Sequence, residues 1–329
     1  DAAKTQPWQE DTLINVYSTT KTMSFLCMLL LADRGELDFD ANVAHYWPEF
    51  AANGKENVKV WHLMNHAAGL SGLDEPTAYD DYLDWEKMTT LLAAQKPWWE
   101  PGTALAYHAM TQGYLLGEVL RRITGQTMGT FFADEIASKL GADFYIGVPD
   151  EVLPRVAHVI PPPNSRLGAN ALTDPNPSIA VRSYSSPRVS AEESWTLGWK
   201  KAEIPAANGH GNARAVAKIH AVLANFGESN GVRLLSEATA RSVMTPRISG
   251  KDMTLRMNVR YSLGFGLIPS EKATRRLCYW GGWGGSTAII DQDHQASISY
   301  VMNKMYNGLT GDVRGLSISQ AVFASLRDL

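Results

Sequence analysis

Ser18 and Lys21 stand three residues apart at the head of the apolar stretch Thr22 to Ala32. On a helix that spacing puts both side chains on one face, one turn apart. Burial and the positive end of a helix both disfavour an ammonium, which leaves an amine able to take the proton of a serine hydroxyl. A capping serine followed by a snorkelling lysine has the same spacing, so the pair needs partners. Tyr107, just ahead of a long amphipathic stretch, offers a phenol. Its intrinsic pKa lies close to that of lysine, so the two can share one proton. Trp280-Gly281-Gly282-Trp283-Gly284-Gly285-Ser286 has the glycine density that lets a backbone approach a ligand closely. Taken singly, a core tyrosine and a tight turn would account for these two features. His62 and His66 have the i, i+4 spacing of a zinc helix, but Leu63 stands where a metalloprotease needs Glu, and no third ligand is evident. A His66 hydrogen-bonded in a loop fits better than a metal ligand.

The elements that must position these groups can be read from pattern. Thr12 to Tyr17 alternates like a short strand. Ser18 then reads as the N-cap of a helix, apolar on nearly every side, that ends at Asp33-Arg34-Gly35. Further helices are expected over Tyr82–Gln95, from Leu115 to Ile123, over Met128–Leu140, Ala213–Gly227, Ser236–Thr245 and Asp312–Leu326. Tyr261 to Leu267, Leu277 with Tyr279, Ser286 to Asp291 and Ala296 to Met302 alternate as an antiparallel meander. Pro154 to Glu193 is proline-rich and without period, a loop long enough to be a lid or pocket wall.

Composition narrows the partners. The chain has 329 residues, 45% hydrophobic and 19% charged, as in an ordinary globular protein of one large or two intimate domains. A net charge of −4 argues against nucleic acid or an anionic membrane surface. No apolar run reaches membrane-spanning length. Two cysteines, Cys27 and Cys278, make no disulfide framework, and buried free thiols are expected, with one bridge left open. The absence of a signal peptide favours the cytoplasm, although the chain begins abruptly inside a strand or loop, as one missing a leader would.

Together the motifs resemble the serine β-lactamase-like superfamily, most closely the family VIII carboxylesterases, from about residue 4 to the C-terminus. Asp11 to Lys21 looks like the nucleophile segment, and Leu63-Met64-Asn65-His66-Ala67-Ala68-Gly69-Leu70 like the Leu-x-x-His-x-x-Gly-Leu landmark. Tyr107-His108-Ala109 occupies the tyrosine motif, and Trp280-Gly281-Gly282 matches the Trp-Gly-Gly that stands in these esterases for Lys-Thr-Gly. Two departures from the β-lactamases matter. Ala109 replaces an Asn, and Trp280 replaces the lysine that pairs with a substrate carboxylate. Both remove polar handles for a β-lactam. The Gly-x-Ser-x-Gly elbow of the α/β-hydrolases is absent.

The resemblance implies an α+β, β-lactamase-like fold: an antiparallel sheet domain from residues 1–16 and 205–329, and a mostly helical domain from 17–204. The site would lie between them, walled by the loop 154–193. Ser18 would attack an ester carbonyl while Lys21 and Tyr107 remove its proton, and the N–H groups of Ser18 and Trp283 would form the oxyanion hole. Trp280, Gly281 and Gly282 would line the acyl or alcohol pocket. No cofactor or metal is implied, and the partner is a small neutral ester. A β-lactamase, amidase or acyltransferase of the same fold, or a catalytically silent binding homologue, are the alternatives. Family members usually carry a helix and two strands ahead of the segment matching residue 1. The expectation is therefore a fragment, a sheet short on one side, or a second copy covering that edge.

Overall fold

The computed structural model describes residues 3–162, 177–186, 188–270 and 275–326. At its centre is the helix Lys21–Asp33, buried at every residue from Lys21 to Leu31. A helix with no polar face must be surrounded. The helices Thr111–Thr124 and Met128–Phe132 pack against it, and the sheet side supplies Phe265 and Trp280 around Phe25. The N-cap expectation for Ser18 is corrected. A single tight turn, Tyr17–Thr20, precedes the helix, and Ser18 lies inside it with no capping bond. Its hydroxyl is engaged elsewhere, by Tyr107.

The meander is a six-stranded antiparallel sheet in the order Ala296–Tyr300, Thr287–Asp291, Leu277–Gly281, Gly266–Leu267, Asn258–Tyr261, Ile248–Lys251. The run 261–267 is two strands rather than one. Ser262 donates its N–H to the Phe265 carbonyl across a turn in which Gly264 has φ +88. The first strand, Ile248–Lys251, went unread because it is polar and largely exposed. Period two does sort the faces. Leu277 and Tyr279 meet the C-terminal helix Val313–Ser325, while Cys278 and Trp280 enter the main core. Helix Ala213–Ala224 packs on the last two strands. Among the described residues Ala296–Tyr300 pairs on one side only, so its other edge is open.

Residues 12–17 do not join that sheet. Only Ile14–Asn15 is strand, and it pairs with Gly209–Gly211, which pairs in turn with Phe144–Ile146. This small sheet holds the nucleophile turn: Val16 N–H donates to the Gly209 carbonyl at 2.9 Å, and Gly209 N–H to Thr20 Oγ1 at 2.8 Å.

Boundaries shift at capping residues. The helix expected from Tyr82 begins at Trp85, because Asp84 caps it by accepting the Lys87 N–H at 3.0 Å. Of the loop 154–193, residues 163–176 and 187 lie outside the described residues. Its described parts hold short turns at Leu153–Arg155 and Ala191–Trp195 and the helix Ile179–Ser183, too short to show a period. Cys27 and Cys278 are both buried and free.

Candidate active site

Lys21 is the first residue of its helix and Ser18 sits in the turn before it, so the expected one-turn spacing is realised. Ser18 is 8% exposed and Lys21 1%. The preceding residue, Tyr17, has φ +45. Such a conformation is costly for a non-glycine residue and persists where the surroundings impose it. Here Tyr17 is held by its hydroxyl on the Ala191 carbonyl and by its ring against Trp283, 5.0 Å between centroids.

Tyr107 lies in an extended segment whose N–H groups are all committed. Ala106 N–H donates to the His66 carbonyl, Tyr107 N–H to Asp252 Oδ1 at 3.1 Å, and His108 N–H to His66 Nδ1 at 3.2 Å. Helix Val60–Met64 ends before His66, which has φ +59, so His62 and His66 never share a helix face. Among the described residues no group of three metal-ligating side chains occurs. His66 therefore supports the backbone under Tyr107, as a histidine hydrogen-bonded in its loop. Asp252 was not singled out from sequence. Its Oδ1 also accepts the N–H groups of Thr254 and Leu255, both at 2.8 Å. Only the fold shows this.

These supports bring three side chains to one point. Tyr107 Oη donates to Ser18 Oγ at 2.5 Å, and Lys21 Nζ lies 3.4 Å from the same oxygen. Lys21 also donates to the carbonyls of Ala109 at 2.6 Å and Ala206 at 2.9 Å. Complete burial, with no carboxylate among its hydrogen-bond partners, holds its pKa well below the usual lysine value. A neutral amine has two N–H bonds and one lone pair. Two carbonyls take the N–H bonds, and Ser18 Oγ is the remaining neighbour for the lone pair. Burial pushes the Tyr107 phenol the opposite way, upward. The hydroxyl of Ser18 and the indole of Trp280 oppose that rise, while the Asp252 carboxyl adds to it. Burial thus favours the uncharged form of both groups.

The glycine-rich segment meets the nucleophile turn directly. A Cβ on Gly282 would come within 2.3 Å of the Val16 carbonyl oxygen and of Ser286 Oγ, so only glycine fits. This contact sets Trp283 beside Ser18. The backbone N–H groups of Ser18 and Trp283 have no backbone acceptor among the described residues. Next to them is a narrow cavity of about 30 Å³, lined by Ser18 and Tyr107 together with Tyr17, Tyr184, Val189, Trp199, Trp283 and Leu309. No charged side chain is in its wall among the described residues. Trp280, Gly281 and Gly282 are not part of that wall. Trp280 is behind Tyr107, packed on His66, Tyr261 and Phe25. Tyr184, Val189 and Leu309 carry no sequence signal, since nothing but folding brings positions so far apart to one cavity.

Residues 1–323 match the protein family described as Beta-lactamase. The chain belongs to the beta-lactamase family. Within it, the chain is 36% identical to the esterase/beta-lactamase LipL of Mycobacterium tuberculosis over 319 residues, 94% of this chain and 73% of LipL. The crystal structure of a family VIII carboxylesterase superposes with a TM-score of 0.90 at 37% identity, covering 98% of this chain and 86% of that one. A penicillin-binding protein homolog from Caulobacter crescentus gives 0.86 at 36% identity, with coverage of 98% and 86%. The beta-lactamase-like fold, helices about antiparallel sheet, is the one expected from the motifs. Among the described residues no helix is long and apolar enough to cross a membrane.

Proposed function

We propose that this member of the beta-lactamase family is a serine carboxylesterase that cleaves small neutral esters through an acyl-enzyme on Ser18. The observation that carries the reading is a single oxygen, Ser18 Oγ, held between a phenol and a buried amine whose pKa burial lowers. Lys21 takes the Ser18 proton as Oγ bonds to the ester carbonyl. The carbonyl oxygen, now negative, is received by the N–H groups of Ser18 and Trp283, each donor worth ~3 kcal/mol. Tyr107 gives its proton to the leaving alcohol as the C–O bond breaks, and the Lys21 ammonium returns a proton to the phenolate. Water then repeats the sequence, with Ser18 Oγ as the leaving group.

The uncharged cavity supports the substrate class. A β-lactam brings a carboxylate that finds no cation in the wall described, and an unpaired buried charge is costly. The helical part, 17–204, and the sheet part, 1–16 with 205–329, are proposed to be the two lobes that enclose the ester. A second copy along the open edge of Ala296–Tyr300 is the proposed oligomer, which sedimentation velocity reads out directly.

The test sets p-nitrophenyl butyrate beside nitrocefin, with an alkyl fluorophosphonate as covalent label. Turnover of the ester and phosphonylation at Ser18 are expected, with nitrocefin at least tenfold poorer in kcat/KM. Equal efficiency on both, or labelling at another residue, would displace the esterase reading.

A further inference from the structure

Trp280 does not wall the cavity. Its indole is buried, 5% exposed, and locked on three sides: stacked on His66 at 5.6 Å, edge-on to Phe25 at 5.7 Å and tilted against Tyr261 at 5.7 Å. An apolar wall would need no such placement. The fourth neighbour is Tyr107, with ring centroids 6.1 Å apart. Trp280 Nε1 is buried without a hydrogen-bond partner, and a buried unpartnered N–H is expensive enough to need a reason. In the resting site the Tyr107 hydroxyl spends its only proton on Ser18 Oγ, which leaves its oxygen lone pairs as the nearby acceptor.

We propose that Trp280 is a positioning residue whose indole N–H serves the Tyr107 phenolate that forms when the leaving alcohol is protonated. This rests on the esterase reading above. The N–H makes no hydrogen bond of full geometry in the resting site and tightens on the oxygen as it becomes charged, so its interaction grows in the transition state. Facing the phenol, the Trp280 indole lowers the Tyr107 pKa against the effect of burial. The other groups facing Tyr107 do not supply this donor. Lys21 is over the ring, 4.8 Å from its centre, with two of its hydrogens on carbonyls. His66 meets the ring edge-on, and its pKa and that of His108 are lowered by burial, so both are uncharged. The Asp252 carboxyl opposes a negative charge there, and Tyr184 and Tyr261 are buried phenols with raised pKa values.

The decisive substitution is Trp280 to 3-benzothienylalanine, which keeps the bicyclic shape and replaces the N–H by sulfur. Trp280→Phe serves as a second variant. Steady-state kinetics on p-nitrophenyl acetate and on ethyl acetate read the effect. With the N–H lost, kcat/KM, which reads acylation alone, falls about ten- to a hundredfold on the ethyl ester. The kcat/KM of the p-nitrophenyl ester, whose leaving group needs no proton, loses far less. An equal loss of kcat/KM on both esters, or no loss on either, would overturn the proposal. These outcomes stand apart from failure of the esterase reading, which would appear as absent ester turnover in the unsubstituted protein.

Discussion

Lys21 Nζ lies 4.8 Å from the centre of the Tyr107 ring, and the two side chains reach the same atom, Ser18 Oγ. One comes from the helix that directly follows the nucleophile's turn, the other from a segment 86 residues away in sequence that His66 and Asp252 hold in place. Groups so arranged act on one proton and are non-additive. Lys21→Ala and Tyr107→Phe should each cost orders of magnitude in kcat, and the double variant little more than the worse single one. Losses that multiply in the double variant would show that the two do not work as a unit.

Ser18→Ala removes the one atom that forms the acyl bond and leaves the surrounding core in place. Ester turnover should drop by more than about a hundredfold, over ~3 kcal/mol in the barrier. The circular dichroism spectrum and Tm should stay close to those of the unsubstituted protein. Retention of substantial kcat would mean that another residue is the nucleophile.

The lowered pKa of Lys21 carries a signed consequence for stability. The unfolded chain holds that proton up to about pH 10.4, whereas the folded chain releases it at a lower pH. Unfolding thus takes up a proton in that window, and stability rises with pH through it, by up to ~1.4 kcal/mol per pH unit. Lys21→Met lacks the term. Urea unfolding at pH 8 and 9.5 should show the unsubstituted protein gaining on the variant as pH rises. A constant difference between the two would place the amine in its charged form. Activity should also climb from acid toward neutral pH as the pair loses a proton.

Gly282→Ala forces a Cβ to within 2.3 Å of the Val16 carbonyl oxygen. The segment must retreat and take the Trp283 N–H with it. We expect kcat to fall about a hundredfold, the typical loss for one oxyanion donor, with a smaller change in KM. Crystallography of the variant would show the displaced strand end. Unchanged kcat would remove Trp283 from the oxyanion site.

Leu309 closes the cavity beside Ser18. Leu309→Ala should move the preference toward longer acyl chains, by up to about fourfold in kcat/KM per methylene newly accommodated, since each buried CH2 contributes ~0.8 kcal/mol. A panel of p-nitrophenyl esters from acetate to octanoate reads this. The same chain-length profile in both proteins would place the acyl group elsewhere.

What the amino-acid sequence determined by itself was local. The spacing of Ser18 and Lys21, the all-apolar helix behind them and its stop at Asp33-Arg34-Gly35 follow from periodicity and side-chain chemistry within one or two turns. The alternation of the last strands is equally local, as Leu277 and Tyr279 show against Cys278 and Trp280. Tyr107 and the Trp280–Trp283 segment could be picked out, but their meeting at Ser18 was decided by tertiary packing. So were the split at Ser262–Phe265, the departure of Ile14–Asn15 to a separate sheet, and the support of Tyr107 by Asp252. The place of Trp280 behind the tyrosine rather than in the cavity wall has the same origin. These features depend on which distant backbone groups satisfy one another once water is excluded. That pairing has no period, and it exists only when the whole chain is folded.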